Sequence, residues 1–388
     1  MRKLTRKLVL IGLLGATMGA EDACQENALS YTYGHEAMPG PAVKLLEPDG
    51  NFGSNAKVVY HASWNRPYVM FYRQRVPNGN GTIGIRRATS TNGLNWSRDS
   101  GWVLRPNGTP GSAPLGCGGA YDPGAAVTAD GTILLAYEAE PRAPWTRVLC
   151  EPNPEGHHAY VAVARSTDGG RTFSNFQKAI RTVTATNVGT PSVQIWPELG
   201  KISIAYHRND GPPITMRIRT WDYNGSNIQT FADHPNGSWT CGSGCTDVEP
   251  VVNWPDGTDH MQPYGFLSMQ GGIGKADIIR WSQPAEGVDD GSYYMVFEAF
   301  ASPGASCEAP NGIVYTWYAR AASPTGPYTV SAATPILVDD DPNDHFCNQD
   351  MPTWMFRPTT GTYHVLTHAR NGDYTDSINA HQLQFQPQ

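Results

Sequence analysis

Two carboxylates, Asp122 and Glu138, stand within a stretch from Cys117 to Glu140 that reads as a β-hairpin. A short strand opens at Asp122-Pro123, a turn falls at Asp130-Gly131, and a second strand from Thr132 to Tyr137 ends on Glu138. Folded this way, both acidic side chains lie at the same end of the hairpin. Crowded carboxylates push each other's pKa apart, so that one stays protonated while the other is ionised. A set of such carboxylates, of which this hairpin supplies two, is what cleavage of a glycosidic bond requires: an acid for the leaving oxygen and a carboxylate to activate water or attack.

The elements that position this pair recur. With 388 residues the chain can bury a large core, and its 41 Gly and 31 Pro imply many turns between short elements. No stretch holds helical apolar periodicity over more than about three turns. The reading is therefore all-β. From residue 55 a unit of about 65 residues repeats five times. Each unit is a run of short strands rich in β-branched and aromatic residues with Gly or Asn at the turns. Five such sheets around an axis form a five-bladed β-propeller spanning 55–388, with a β-sandwich as the rival architecture. In the fourth unit the strands are read as Val248–Trp254, Tyr293–Glu298 and Ile313–Ala319, with 257–291 as an insertion.

In a blade, the innermost strand starts at one face and the next strand returns to finish there. At the inner-strand starts, a Pro recurs in Asp122-Pro123, Thr190-Pro191, Glu249-Pro250 and Asp350-Met351-Pro352, and is expected to set the preceding residue extended. At the second-strand ends the matching pairs are Tyr72-Arg73, Tyr137-Glu138, Tyr206-His207, Phe297-Glu298 and Thr367-His368. The candidate catalytic set is Asp122, Glu249, Glu138, Glu298 and Asp350, and Arg73, His207 and His368 are candidate substrate-binding residues. Trp64, Trp145, Trp254 and Trp354 lie nearby in sequence and suit either sugar faces or packing between blades. The carboxylates and imidazoles also suit a structural calcium ion on the axis, while the hydrolysis itself needs no cofactor.

Residues 1–20 carry Arg2, Lys3, Arg6 and Lys7, an apolar run from Leu8 to Leu14, and small residues around Gly19 and Ala20, the pattern of a secretory signal. A membrane anchor needs roughly twenty apolar residues. Residues 21–54 read as an extended lead-in. Removing the signal takes away four basic and no acidic side chains, so the net charge goes from −7 to −11. That balance disfavours nucleic acid and anionic membranes and suits a poly- or oligosaccharide bound by a monomer. Seven cysteines in an exported chain suggest disulfides, with Cys117–Cys150, Cys241–Cys245 and Cys307–Cys347 as the expected pairs. Zinc is disfavoured, since no CxxC pair is present.

The repeat's own motifs resemble a known group. The Asp-Pro inner strand, the Glu two blades later and the Ser-Pro-Thr-Gly-Pro-Tyr turn at 323–328 look like the five-bladed propeller glycoside hydrolases, the superfamily of family 43 arabinanases and xylosidases and of β-fructosidases. Ser166-x-Asp168-x-Gly170-x-Thr172-Phe173 resembles the Asp-box turn of sialidase-type propellers, in which the Asp is structural. The family 43 resemblance implies Asp122 as base and Glu249 as acid, and these two are the first-choice acid/base pair. It departs from the family in having Thr190 where a tuning Asp would stand, no Gly between Glu249 and Pro250, and its Asp-Pro in the second repeat. Glu138, Glu298 or Asp350 are thereby open to roles the family assigns elsewhere. A sialidase's three-arginine clamp is not visible. The rivals from other classes are a carbohydrate-binding propeller without catalysis and a polysaccharide lyase with a base such as His207.

Overall fold

The computed structural model describes residues 35–39, 43–46, 54–77, 81–144, 146–151, 158–180, 187–209, 213–223, 245–254, 272–280, 291–300, 314–330, 336–339, 350–370 and 376–387. The segment read as a signal and Trp145 lie outside them. In chain order the strands are β1 (His35–Pro39) and β2 (Val43–Leu46); then β3 (Ser54–Tyr60), β4 (Tyr68–Arg75), β5 (Ile83–Ser90) and β6 (Trp96–Leu104). Next come β7 (Gly119–Val127), β8 (Ile133–Glu140), β9 (Tyr160–Ser166) and β10 (Ser174–Ile180), followed by β11 (Asn187–Trp196), β12 (Lys201–Asn209), β13 (Thr215–Asp222) and β14 (Cys245–Val248). The last are β15 (Val252–Asn253), β16 (Gly272–Arg280), β17 (Tyr293–Phe300), β18 (Val314–Ala321), β19 (Tyr328–Val330) and β20 (Leu337–Asp339), then β21 (Asp350–Arg357), β22 (Thr362–Arg370) and β23 (Asp376–Pro387).

These strands make five sheets, in the orders β3-β4-β5-β6, β7-β8-β9-β10, β11-β12-β13-β14, β16-β17-β18-β19-β15 and β21-β22-β23-β1. The inner strands form a ring: β3 meets β7, β7 meets β11, β11 meets β16, β16 meets β21, and β21 returns to β3. The protein is a five-bladed β-propeller. Among the described residues no helix is long and apolar enough to cross a membrane.

Two expectations are corrected. The fourth inner strand is β16, inside the stretch read as an insertion; 248–254 instead supplies the outer edge of blade three and a short parallel strand beside β19. The sequence misleads because Glu249-Pro250 imitates the Asp122-Pro123 start, whereas the real start carries Gly274-Lys275 and no proline. The lead-in is also not merely a lead-in. Strand β1 pairs with β23 and β2 adds to the same strand, so the chain's start completes the last blade and closes the ring non-covalently.

Every inner strand breaks register with its neighbour near its start, between Ser54 and Ala56, Tyr121 and Gly124, Gly189 and Ser192, Ile273 and Ala276, and Asp350 and Thr353. Asn55, Asp122, Thr190 and Met351 take φ of 48°, 47°, 45° and 51° at these bulges. At Asp122, Thr190 and Met351 the residue before Pro is thus left-handed, not extended as the sequence suggested. A bulge turns a side chain out of the ladder at a sheet's rim, and non-glycine positive φ is strain that surrounding contacts must hold. Gly124 allows two blades to approach closely: a Cβ there would lie 2.4 Å from the Pro191 carbonyl oxygen on the next blade.

Turns between third and fourth strands hold themselves. Asp168 accepts from the amides of Arg171 (2.9 Å) and Thr172 (3.0 Å) and from the Thr172 hydroxyl (2.7 Å), and Phe173 meets Phe71 edge-on in the neighbouring blade. Asn92 does the same for Leu94 and Asn95 in blade one. Cys117–Cys150 forms the expected disulfide and ties the approach to β7 to the β8–β9 connection. Cys241, Cys307 and Cys347 fall outside the described residues.

Leu46 is 6% exposed and packs with Ile378, Leu366 and Ala56. Leu46→Ala is expected to cost about 2–5 kcal/mol in equilibrium denaturation, as for a core leucine. A change within about 0.5 kcal/mol, typical of a surface site, would show that the N-terminal strands do not close the propeller in solution.

Candidate functional site

The second strands end at the bulged face with Arg73, Glu138, His207 and His368 in equivalent register, opposite Ser54, Tyr121, Gly189 and Asp350 respectively. Glu298 ends its strand one step nearer the bulge, with Ala299 opposite Ile273. Five of the sequence-selected residues therefore share one end of the ring: Arg73, Asp122, Glu138, His207 and Glu298, with His368 and the backbone of Asp350 completing the fifth blade.

Asp122 is 4% exposed, which for a carboxylate demands compensation. Arg73 supplies it from the first blade, with Nη1 3.0 Å from Oδ1, and the Asn55 side-chain amide donates to the same oxygen. Burial alone would raise the Asp122 pKa. The charges of Arg73 and Lys275 and the Asn55 hydrogen bond overcome it and hold the carboxyl below its usual range. Glu138, half-buried, behaves oppositely. Burial first, and then the charge of Asp122, push its pKa up to about 8, against the opposing hydrogen bond from the Thr190 amide at 3.2 Å. One fold thus holds neighbouring carboxyls in different protonation states at neutral pH.

His207 hydrogen-bonds through Nδ1 to the Thr190 hydroxyl at 2.8 Å, and burial lowers its pKa to about 4, leaving a neutral imidazole beside the pair. Gly189 makes room: a Cβ there would lie 1.8 Å from Glu138 Oε2. Glu298 is 1% exposed and accepts from the amides of Lys275 (2.7 Å) and Met351 (2.8 Å), binding blade four to blade five. The amide it takes from the next blade's bulge is the counterpart of the Thr190 amide on Glu138.

Several sequence candidates lie elsewhere. Glu249 follows the outer strand β14, with a side chain 57% exposed and 3.5 Å from Arg217, so it is not part of this cluster. Trp64 sits in the β3–β4 turn at the opposite face, its Nε1 beside Gly131 of the next blade and its ring near His61. Trp254 is buried edge-on against Trp317 and Phe297 of blade four, and Trp354 against Tyr318 of blade four and Tyr363 of its own blade, so the first packs within a blade and the second packs two blades together.

Beneath the bulges lies a cluster that the sequence reading missed. Asp277, wholly buried on β16, accepts from Lys57 of blade one (2.5 Å), from the Ser192 hydroxyl and Gln194 amide (2.8 Å) of blade three, and from the Trp354 amide of blade five (2.7 Å). The signal was there: Lys57 is a lone charge inside an otherwise apolar Ala-Lys-Val-Val, and Asp277 an acidic one inside Lys-Ala-Asp-Ile-Ile. The Asp277 oxygens are already taken, and among the described residues no three His, Cys, Asp or Glu are grouped to hold a metal ion.

No family model matches the sequence, and no curated protein matches it significantly. Solved structures do match in fold. A thermostable family-43 glycoside hydrolase superposes with a TM-score of 0.59 at 15% identity, covering 89% of this chain and 93% of that one. The α-L-arabinanase of Cellvibrio cellulosa complexed with arabinohexaose gives 0.51 at 10% identity, with 87% and 92% covered. A β-xylosidase/α-arabinofuranosidase from a compost microbial metagenome, in complex with xylotriose, gives 0.53 at 12% identity, with 90% and 95% covered. At these identities the likeness establishes the propeller architecture.

Asp122 contributes stability that is present above its unfolded pKa of about 3.9 and is lost as pH falls through its lower folded value. In Arg73→Met that folded value rises, so the variant is expected to lose about 1–3 kcal/mol at neutral pH. The deficit should vanish at acid pH, where Asp122 is protonated in both proteins. Denaturation of the two proteins across pH measures this, and a deficit independent of pH would remove the assigned pairing.

Proposed function

We propose that this chain is a secreted glycoside hydrolase acting on a neutral or weakly charged poly- or oligosaccharide, with Asp122 and Glu138 as its acid/base pair. The observation that carries the reading is the split between these two carboxyls. Asp122 is ionised by Arg73 and Asn55, and Glu138 keeps its proton to about pH 8. Hydrolysis of a glycosidic bond needs these two states together, an acid at the leaving oxygen and a carboxylate at the sugar or at the attacking water. The propeller shared with solved glycoside hydrolases supports the same reading as an analogy of fold.

In this scheme Glu138 delivers its proton to the departing oxygen, and the Thr190 amide stabilises the carboxylate left behind. Asp122 activates water or attacks the anomeric carbon. Arg73 keeps it charged while it waits. His207, neutral and fixed by Thr190, is a hydrogen-bonding group for sugar hydroxyls. Tyr121 stays protonated beside Glu138, Glu140 and Asp122, since burial raises its pKa and these carboxylates raise it further. It too can donate to a hydroxyl.

Incubation with arabinan, xylan and fructan, followed by assay of reducing ends, is expected to show release that Asp122→Asn and Glu138→Gln each reduce by at least about 10²-fold. The rate should fall on the alkaline side around pH 8, where Glu138 loses its proton, and persist toward acid until Asp122 is protonated. Sugar retention on affinity gels without release would identify a binding module instead. Products absorbing in the ultraviolet would identify a lyase with His207 as base.

A further inference from the structure

Lys275 has no exposed surface, and its Nζ has no hydrogen-bond partner among the described residues. Burying an ammonium without hydrogen bonds is costly, so charge must balance it. It stands in the β16 bulge, next to Gly274, whose missing Cβ leaves space for the Glu298 carboxylate: a Cβ there would lie 2.2 Å from Oε1. Burial first of all pulls the Lys275 pKa below its usual value, and Lys57 on β3 adds to this; Asp122 on β7, Asp277 on its own strand and Glu298 on β17 oppose it and favour the ammonium, so charged groups from three blades act on it. Asp122 is acted on in turn by Arg73 on β4 and His207 on β12. Blades two and four are not neighbours, so Lys275 and Asp122 address each other across the axis.

A divalent ion would need these same oxygens. Asp277 spends its lone pairs on Lys57, Ser192, Gln194 and the Trp354 amide, and Glu298 spends its own on two backbone amides. A second positive ion would also meet the ammonium at short range. We propose that Lys275 is the propeller's built-in axial cation, a positioning residue that takes the place of an axial metal ion and keeps Asp122 charged. The functional consequence rests on the reading of Asp122 as the ionised member of the acid/base pair.

The test follows the Asp122 carboxyl directly, by NMR of the full chain with labelled aspartate side chains over a pH series. In Lys275→Met the Asp122 proton affinity should rise about tenfold or more, as expected when a nearby opposite charge is removed. Lys275→Arg, which keeps the charge, should leave it near the wild-type value. Calorimetric titration of the wild type with calcium chloride should show no binding, and a chelator should leave its melting temperature unchanged. An unchanged Asp122 midpoint in folded Lys275→Met, or one equivalent of calcium bound by the wild type, overturns the proposal. If the variants do not fold, the calcium titration of the wild type decides it. If Asp122 titrates as stated but no sugar polymer is cleaved, the hydrolase reading falls and the axial cation stands.

Discussion

The buried Lys57–Asp277 ion pair is the constraint on which the ring depends. Asp277 is a carboxylate with no exposed surface, and its partners come from blades one, three and five as well as from its own strand. An apolar axis of the same volume could be equally stable, because desolvating two ions offsets much of their attraction. Specific geometry is what the charges add. Leaving either ion unpaired costs far more than the pair contributes, so arrangements that slip one inner strand past another are penalised. The Thr353 hydroxyl on the Ala56 carbonyl (2.6 Å) pins the seam between blades five and one.

A floor fixed in this way lets the rim carry strain. The bulges at Asn55, Asp122, Thr190 and Met351 hold left-handed backbone in non-glycine residues, a conformation that persists only when neighbours over-determine it. At Asp122 the neighbours are Arg73 and Asn55 from the preceding blade; at Thr190 they are Glu138 from the preceding blade and His207 from its own. Each carboxylate therefore reports on the docking of two blades. A shift of one blade would disturb the protonation of both.

Much of this was legible in the chain, and what was lost has a physical cause. The second-strand ends could be aligned because each follows an apolar strand whose alternation fixes register, and so Arg73, Glu138, His207 and His368 fell where expected. Three of the inner strands announced themselves by Asp122-Pro, Thr190-Pro and Met351-Pro. The fourth did not, since Gly274-Lys275 achieves the same bulge without a proline, and Glu249-Pro250 presented a false copy on an outer edge. Trp254 and Trp354 could not be assigned, because a tryptophan that stacks on sugar and one that packs within or between blades have the same neighbours in sequence. Strands β1 and β2 were invisible for a related reason: a closing strand pairs with the far end of the chain, so nothing local marks it.

Pseudo-symmetry also explains how one pair of carboxyls comes to differ. Five equivalent bulges and five equivalent strand ends would give five similar environments if the residues were alike. They are not alike. The blade before Asp122 offers two donors, Arg73 and Asn55, whereas the blade after Glu138 offers one backbone amide and, at Gly189, an absence of side chain. Asp122 thus has its charge balanced by close donors, and Glu138 meets burial first and then the field of Asp122, which Arg73 and the Thr190 amide offset only in part. Burial, and after it the ionised Asp122, keeps the proton on the second. The pair is therefore a single electrostatic unit, and its asymmetry originates in the two neighbouring blades more than in either residue.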